Sequence, residues 1–591
     1  MAAAGLSRRL RQGAPLLSSA LFQALTTLTT PPVVYWPCED GKNSPYVASG
    51  IGGSPMTVEG STDFASYTNL PSSAPLPTLK TSTWTGRVPT YTNTNSTQLR
   101  FFCEFAGTAP VFTPIVEMFT TGSIGYYAVV LTFVAPDPPQ LGLWVFDTKG
   151  GTQYLNLANS SLLASEPQFI TLELTQSGSN ILYQMNALPV GVFIVETGQH
   201  TLTTGTIGTV TKIVVDPNRA LSGATIGHVN LRKEITPIND IATQTNAYLG
   251  ENAVDRLVRL CGLTGVPFVY RGHAGFAETM GYQNVTSLLD QFDDCEVADM
   301  GLQYEPRGFS AMGYRSRRSL YSQNPTLTLD YTAKQIAPEL TPTDDDDRIM
   351  NDITVTRQDA TSVHDELVTG PLSVNPPEQG GVGRYAVTYI TNIATDDRLP
   401  DIAGWLLNIG TADESRYPQV HVNLAISSVV TAGLEQAAMD VDIGDKIAII
   451  NPKTGQTPDT IRLIVLGYTE TFNVFKHDIV YNCVPESPYE IAQFDAAPNA
   501  YYIAGAAATL TSGYSTTATT MIVNTGVTPW KTGAVSIPVT MAGELMTVTN
   551  ITGAASPQTF TVTRSVNSVV KTQSINTVVT IPRYYRAVIG L

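Results

Sequence analysis

Gln98-Leu99-Arg100-Phe101-Phe102-Cys103-Glu104-Phe105 decides the fold class. Leu99, Phe101, Cys103 and Phe105 fall on one face of an extended chain, and Arg100, Phe102 and Glu104 on the other. Successive side chains of a strand point to opposite faces, so this period of two predicts a strand with one face on a core. The same period recurs downstream. Ile170, Leu172 and Leu174 share a side within Phe169 to Leu174, and Leu141, Leu143 and Val145 alternate with Trp144 and Phe146. Ala128 to Val134 is a continuous apolar run, and Ile181 to Met185 and Ile207 to Val215 extend the series. From Pro31 to Leu231 no helical stripe interrupts it. Many short strands at regular spacing predict an antiparallel sandwich.

The chain has 591 residues, enough for roughly four domains. Charged residues are only 14%, while Gly 47 and Pro 38 mark many turns. Apolar runs are short, and none reaches the ~18 residues that would suggest a membrane-spanning helix. Lys+Arg 34 against Asp+Glu 50 gives a net charge of −16. A chain this acidic is a poor partner for phosphates, so no stable nucleic-acid binding is expected. Cys38, Cys103, Cys261, Cys295 and Cys483 are scattered, with no CxxC pair. They read as buried free thiols in a protein made in a reducing cytoplasm, with a single bridge as the alternative.

The first thirty residues start basic (Arg8, Arg9, Arg11) and continue apolar from Ala14 to Phe22. An export signal would look similar, but Ser18, Ser19 and Gln23 dilute the stretch and no A-x-A site follows. A short lead-in helix packed on the rest of the protein is expected. Beyond Glu234 the period changes. Val254, Leu257, Val258 and Cys261 make one helical face, closed by Gly262 and opposed by Asp255, Arg256 and Arg259. Val285, Leu288, Leu289 and Phe292 repeat the stripe. Strands are expected at Ile353 to Arg357, Val420 to Leu424, Lys446 to Ile450, Ile461 to Leu466 and Val480 to Val484. Near the end, Gly543 to Thr549 and Thr559 to Asn567 alternate about Gly553-Ala554-Ala555-Ser556-Pro557, a hairpin pattern.

Several segments carry a resemblance. Val34-Tyr35-Trp36-Pro37-Cys38-Glu39-Asp40-Gly41, then Gly52-Gly53-Ser54-Pro55-Met56, then Ile226-Gly227-His228-Val229 resemble the opening, second and closing segments of laminin-G/concanavalin-A-like sandwich domains. Such domains occur in minor tail proteins of siphophages infecting actinobacteria. Met280-Gly281-Tyr282-Gln283, Asp299-Met300-Gly301, Tyr314-Arg315-Ser316-Arg317, Asn351 to Arg357 and Asp442-Ile443-Gly444-Asp445 resemble the central, hub-like module of the same proteins. Glu544-Leu545-Met546-Thr547-Val548 followed by Phe560-Thr561-Val562-Thr563-Arg564 resembles their C-terminal signature, except that Ser565 stands where the common pattern has glycine. The resemblance implies a mainly β, multidomain chain: a lead-in segment at 1–30, a concanavalin-A-like β-sandwich at 31–232, the α+β part of a tail hub at 233–342, its β-barrel part at 343–495 and a C-terminal β-domain at 496–591. It implies a virion protein of the tail tip or baseplate hub, made in the host cytoplasm. Threefold assembly and contact with the distal tail protein, the tape measure and further minor tail proteins follow from the same likeness, as does attachment to a host-surface glycan.

The search for chemistry finds no P-loop, GxSxG elbow, HExxH or EF-hand loop. His200, His228, His273, His364, His421 and His477 are isolated and read as structural or surface residues, and no cofactor or metal is expected. Asp293, Asp294, Glu296 and Asp299 could supply the carboxylate pair of a glycosidase, or simply a solvated helix end. Asp344 to Asp347 could hold Ca²⁺ or form a solvated loop. Arg315, Arg317 and Arg318 with Tyr314 and Tyr321 could grip nucleic acid, but read better as a salt-bridging face between subunits. Tyr126, Tyr127 and Trp144 are the candidates for stacking on sugar rings. Alternation puts Trp144 opposite Leu141, Leu143 and Val145, so either it or they face outward. The expected role is structural and not enzymatic. The alternatives are a virion-associated glycoside hydrolase acting on the host envelope and an exported adhesin.

Overall fold

The computed structural model describes residues 5–12, 16–105, 112–132, 140–159, 166–191, 195–202, 204–337, 340–343, 346–358, 360–453, 460–474, 476–491, 508–526, 529–542, 544–566 and 570–580. These fall into two compact units. One holds Met1–Gly265, Glu278–Ala298 and Asn392–Ala394, and the other Val266–Ala277, Asp299–Thr391 and Thr395–Leu591.

The first unit is dominated by two antiparallel sheets that share one apolar core. The first sheet runs Glu196–Leu202, Asn180–Pro189, Gln168–Ser177, Ser96–Glu104, Thr225–Arg232, Leu76–Leu79 and Thr62–Tyr67, with Val34–Trp36 also on Thr225–Arg232. The second runs Thr152–Asn159, Gln140–Asp147, Ile124–Thr132, Thr113–Thr120, Val210–Val215, Thr83–Arg87, Met56–Glu59 and Tyr46–Val47. Leu99, Phe101 and Ile170 from one sheet and Ile115, Val129 and Leu143 from the other are fully or almost fully buried. The period of two therefore does what the sequence pattern predicts.

The strand Ser96–Glu104 departs from a simple inside-outside reading, because both its faces are covered. Arg100 is fully buried, donating to the Thr236 and Pro237 carbonyls at 3.0 and 3.4 Å. The segment after the last sandwich strand folds back over this face and places Ile238 and Ile241 in the core. The helix Ala20–Thr26 also joins the sandwich. Ser19 caps it by accepting from the Phe22 N–H, and Leu21 and Leu25 are buried.

The helix Ala253–Thr264 corrects the expected face. It runs past Gly262 and ends at Gly265, whose φ of 70° suits a helix C-cap. Val254, Leu257, Leu260 and Cys261 are buried, whereas Val258 is exposed. Arg256, expected outside, is fully buried. Its guanidinium donates to the carbonyls of Tyr248 and Gly281 at 3.2 and 2.7 Å and pairs with Glu251. These bonds through Nε and Nη2 offset much of the cost of burying the charge, while Nη1 is left without an acceptor. The second helix, Leu288–Asp299, starts later than its stripe suggests. Ser287 and Asp290 form a reciprocal capping box in front of it.

Among the described residues, the second unit holds three open sheets and a closed barrel. Phe268–Arg271, Met312–Arg315 and Leu302–Tyr304 form the first sheet. Leu327–Asp330, Lys446–Ile450, Thr460–Asn473, Lys476–Pro485 and Gln419–Asn423 form the second, and Ser362–Glu366, Asp352–Arg357 and Ala386–Thr391 the third. The barrel closes through Ala508–Leu510, Thr520–Asn524, Gln558–Thr563, Glu544–Thr552, Gly533–Met541 and Val578–Thr580. Within it Glu544–Thr552 pairs antiparallel with Gln558–Thr563, as the hairpin pattern predicts. All five cysteines are buried thiols outside any disulfide.

Candidate carbohydrate-binding face

Alternation along Gln140–Asp147 sends Leu141, Leu143 and Val145 into the core and leaves Trp144 and Phe146 half-buried on the outer side. Cross-strand register then builds an aromatic ladder on that side. Phe119 stands opposite Tyr126, and Tyr126 opposite Phe146. Their ring centroids are 5.0 and 4.1 Å apart, at interplanar angles of 22° and 9°. Lys212 extends the row, its Nζ 3.9 Å from the Phe119 centroid. Trp144 meets Phe146 edge-on at 6.3 Å and lies nearly parallel to the exposed Phe112 at 6.4 Å.

The three residues singled out for sugar stacking therefore separate. Tyr127 is a correction: it faces the core, 1% exposed, with its ring against Tyr183. Its neighbour Tyr126 points outward because adjacent strand residues must point opposite ways. Tyr126 is flanked on both sides by rings of neighbouring strands, so its two faces are occupied. Trp144 remains as the half-exposed indole at the end of the ladder, beside Phe112. Aromatic rings carry electron-rich faces that suit apolar C–H surfaces, and a ladder of packed rings holds them at little cost in side-chain freedom. Phe112, Phe119 and Phe146 were absent from the sequence-based set. Phe146, two residues from Trp144, was within reach of the alternation, but Phe119 and Phe112 join only through cross-strand register, which does not show in a single strand.

Elsewhere the residues chosen for chemistry are engaged in structure. His228 is fully buried in the sandwich. It shares hydrogen bonds of 2.8 Å with both the Tyr35 hydroxyl and Ser73 Oγ, and Ser73 also donates to Glu39 at 3.0 Å. A neutral ring protonated on Nε2 satisfies this chain. Burial pushes the His228 pKa down to about 4, the nearby Glu39 opposing. Asp299 is buried and accepts from the Tyr314 hydroxyl and the Arg317 N–H at 3.0 and 3.2 Å. Asp293 pairs with Arg11 at 3.8 Å. Asp294 is held above its usual range by burial, against hydrogen bonds from Asn392 and Asn284.

The basic-aromatic patch is a second correction. Tyr314 is fully buried, and Arg315 is buried on Asp445 at 2.6 Å and the Ile443 carbonyl at 3.1 Å. Arg317 is buried near the Trp405 ring, and Arg318 stacks over Phe276. Arg315 and Arg317 therefore face the interior of one chain and not a neighbouring subunit. Of the acidic run, Asp344 and Asp345 lie outside the described residues, and Asp346 accepts from the Tyr385 hydroxyl. Asp352, His364 and Glu366 bring their ligand atoms within 4.8 Å of one another, a grouping not foreseen from sequence. The Arg384 guanidinium pairs with both carboxylates and so supplies the cluster's positive charge.

No family model and no curated protein matches this chain. Solved structures do align with it. A 43 kDa tail protein of prophage MuSo2 from Shewanella oneidensis is 7% identical, over 66% of this chain and 98% of its own, at a TM-score of 0.28. A tail protein from Neisseria meningitidis MC58 is 9% identical over the same shares, 66% and 98%, at 0.30. The enzymatically active domain of tailspike protein 2 from bacteriophage CBA120 is 13% identical, over 32% of this chain and 30% of its own, at 0.24.

Proposed function

We propose that this chain is a structural protein of a phage tail, a minor tail protein at the tail tip that forms part of a ring-like hub and displays its sandwich for attachment to a host-surface glycan. Its modules are those the sequence suggests, at 1–30, 31–232, 233–342, 343–495 and 496–591. The partners are the distal tail protein, the tape measure and further minor tail proteins, with three copies to a ring.

One observation carries the reading: the segments that resemble tail proteins serve as internal locks of β modules. Tyr35, Glu39 and His228 meet in the buried sandwich knot. Asn351 ties the Leu372 and Gly383 carbonyls to the Tyr385 N–H. Gly444 has φ 83°, and a Cβ there would lie 2.7 Å from Arg315 Cδ, so the Asp442 to Asp445 turn and Arg315 fit only as a pair. Glu544 and Arg564 pair inside the barrel, and Ser565 adopts φ 60°, the left-handed backbone that the usual glycine adopts freely. Motifs with these roles describe a scaffold.

The test sets the purified chain against host envelope. Sedimentation with envelope, lost on Trp144→Ala, and no release of reducing ends are the expected results. Release of reducing ends would favour the hydrolase reading instead.

A further inference from the structure

A cleft of about 690 Å³ opens in the second unit, between the end of the strand Ser362–Glu366 with its following loop, one face of the helix Leu399–Gly410, and the segment at Glu414 and Ser487. Asp365, Glu366, Asp401, Asp413 and Glu414 line it, and among the described residues no lysine, arginine or histidine does. Arg384 and Arg398 neutralise Glu366 and Asp401 from outside the lining. Glu414 accepts from the neutral Ser487 hydroxyl, and burial, with Glu486 and Glu490 nearby, holds its carboxyl above the usual range. The charge of this site is therefore under-compensated.

A second, independent feature points to a ligand. Trp405 lines the cleft, is 3% exposed, and its indole N–H has no acceptor. Tyr321 and Tyr489 hold its ring edge-on at 5.2 and 5.7 Å, so it is not free to turn toward one. A buried donor without a partner costs about 1–3 kcal/mol, which an incoming acceptor would recover. Pro371, Leu372 and Pro400 supply apolar wall.

We infer that this cleft takes a lysine- or arginine-bearing peptide segment of a partner protein. The cationic head meets the carboxylates, the aliphatic stem lies on the proline and leucine wall, and a main-chain carbonyl accepts from Trp405. A neutral sugar fits less well. It would leave the carboxylates uncompensated, and the lining's aromatic ring is buried and held edge-on. A bare divalent cation fits less well too: of the cleft's carboxylates only Glu366 joins a three-ligand grouping among the described residues, and there Arg384 already pairs with it and with Asp352.

The test is calorimetric titration of the full chain with an acetylated, amidated Lys-Arg-Lys peptide, with a neutral hexasaccharide and with Ca²⁺ alone. Saturable peptide binding that weakens with added salt is expected, because the contacts are ionic. Asp365→Asn with Asp413→Asn, both at solvent-accessible positions, should weaken it about fivefold or more. Trp405→Phe should weaken it with the heat-denaturation midpoint of the second unit retained. The inference is overturned if the peptide does not bind, if it binds the double variant as tightly as the parent, or if the hexasaccharide or Ca²⁺ binds in its place. Failure here leaves the sandwich's role in attachment untouched, since that is read from envelope sedimentation.

Discussion

Replacing Glu544 by Gln should open the C-terminal barrel and nothing else. Glu544 is fully buried and accepts four hydrogen bonds: from Arg564 Nε and Nη2 at 2.8 and 2.6 Å, Gln573 Nε2 at 2.8 Å and the Lys571 N–H at 3.2 Å. An amide keeps one acceptor but turns a donor toward Arg564 or Gln573, and leaves a nearly buried guanidinium without its counter-charge. Breaking a buried pair from one side costs about 3 kcal/mol, or about a hundredfold in the opening equilibrium. Native-state hydrogen exchange read by mass spectrometry resolves this locally. Amides of Glu544–Thr552 and Gln558–Thr563 should lose about two orders of magnitude of protection, while those of Gln168–Pro189 in the sandwich stay as they were. Replacing both partners with apolar residues should cost less than the single change, because no lone charge is left behind. Unchanged protection in the barrel, or an equal loss in the sandwich, would refute the reasoning.

Three further outcomes follow from the same geometry. Burial holds the His228 ring neutral down to about pH 4, so the unfolded chain takes up a proton first as pH falls below the ordinary histidine value. The sandwich should thus lose up to about 3 kcal/mol between pH 6.5 and 4, and urea denaturation of His228→Gln should show a shallower loss over that window. For Glu544 burial alone would raise the carboxyl, but the bonds from Arg564 and Gln573 outweigh it and hold it below its usual range. Its stabilisation is present above the ordinary glutamate value and is lost as pH falls through the lowered one, so acid should melt the barrel, as exchange at pH 3 to 5 can show. Ser565→Gly should raise barrel stability by about 0.5–1 kcal/mol, through relief of a left-handed backbone, measured as a rise in its unfolding midpoint.

What the sequence makes legible here is whatever depends on near neighbours. The period of two from Leu141 to Phe146 sets Trp144 on the face opposite Leu141, Leu143 and Val145, and burial of those three in the fold is what puts Trp144 outside. The C-terminal hairpin is readable for the same reason. What escapes is set by partners distant in the chain. Arg256 belongs to a buried helical face because the Tyr248 and Gly281 carbonyls receive it, and hydropathy cannot register that. Arg315 looks like a surface cation until Asp445, 130 positions away, folds against it. Tyr126 looks like a free ring until register sets Phe119 and Phe146 on either side. The acidic cleft was invisible because Asp365, Asp401 and Glu414 converge only through folding.

The most direct test of the scaffold assignment is to locate the chain in particles. Virions produced by the genome that encodes it should be purified, labelled with gold-tagged antibody to the C-terminal barrel and imaged. The account predicts label at the tail tip of every intact particle. Particles that lack the chain, with all of it in the soluble fraction of the lysate, would contradict it.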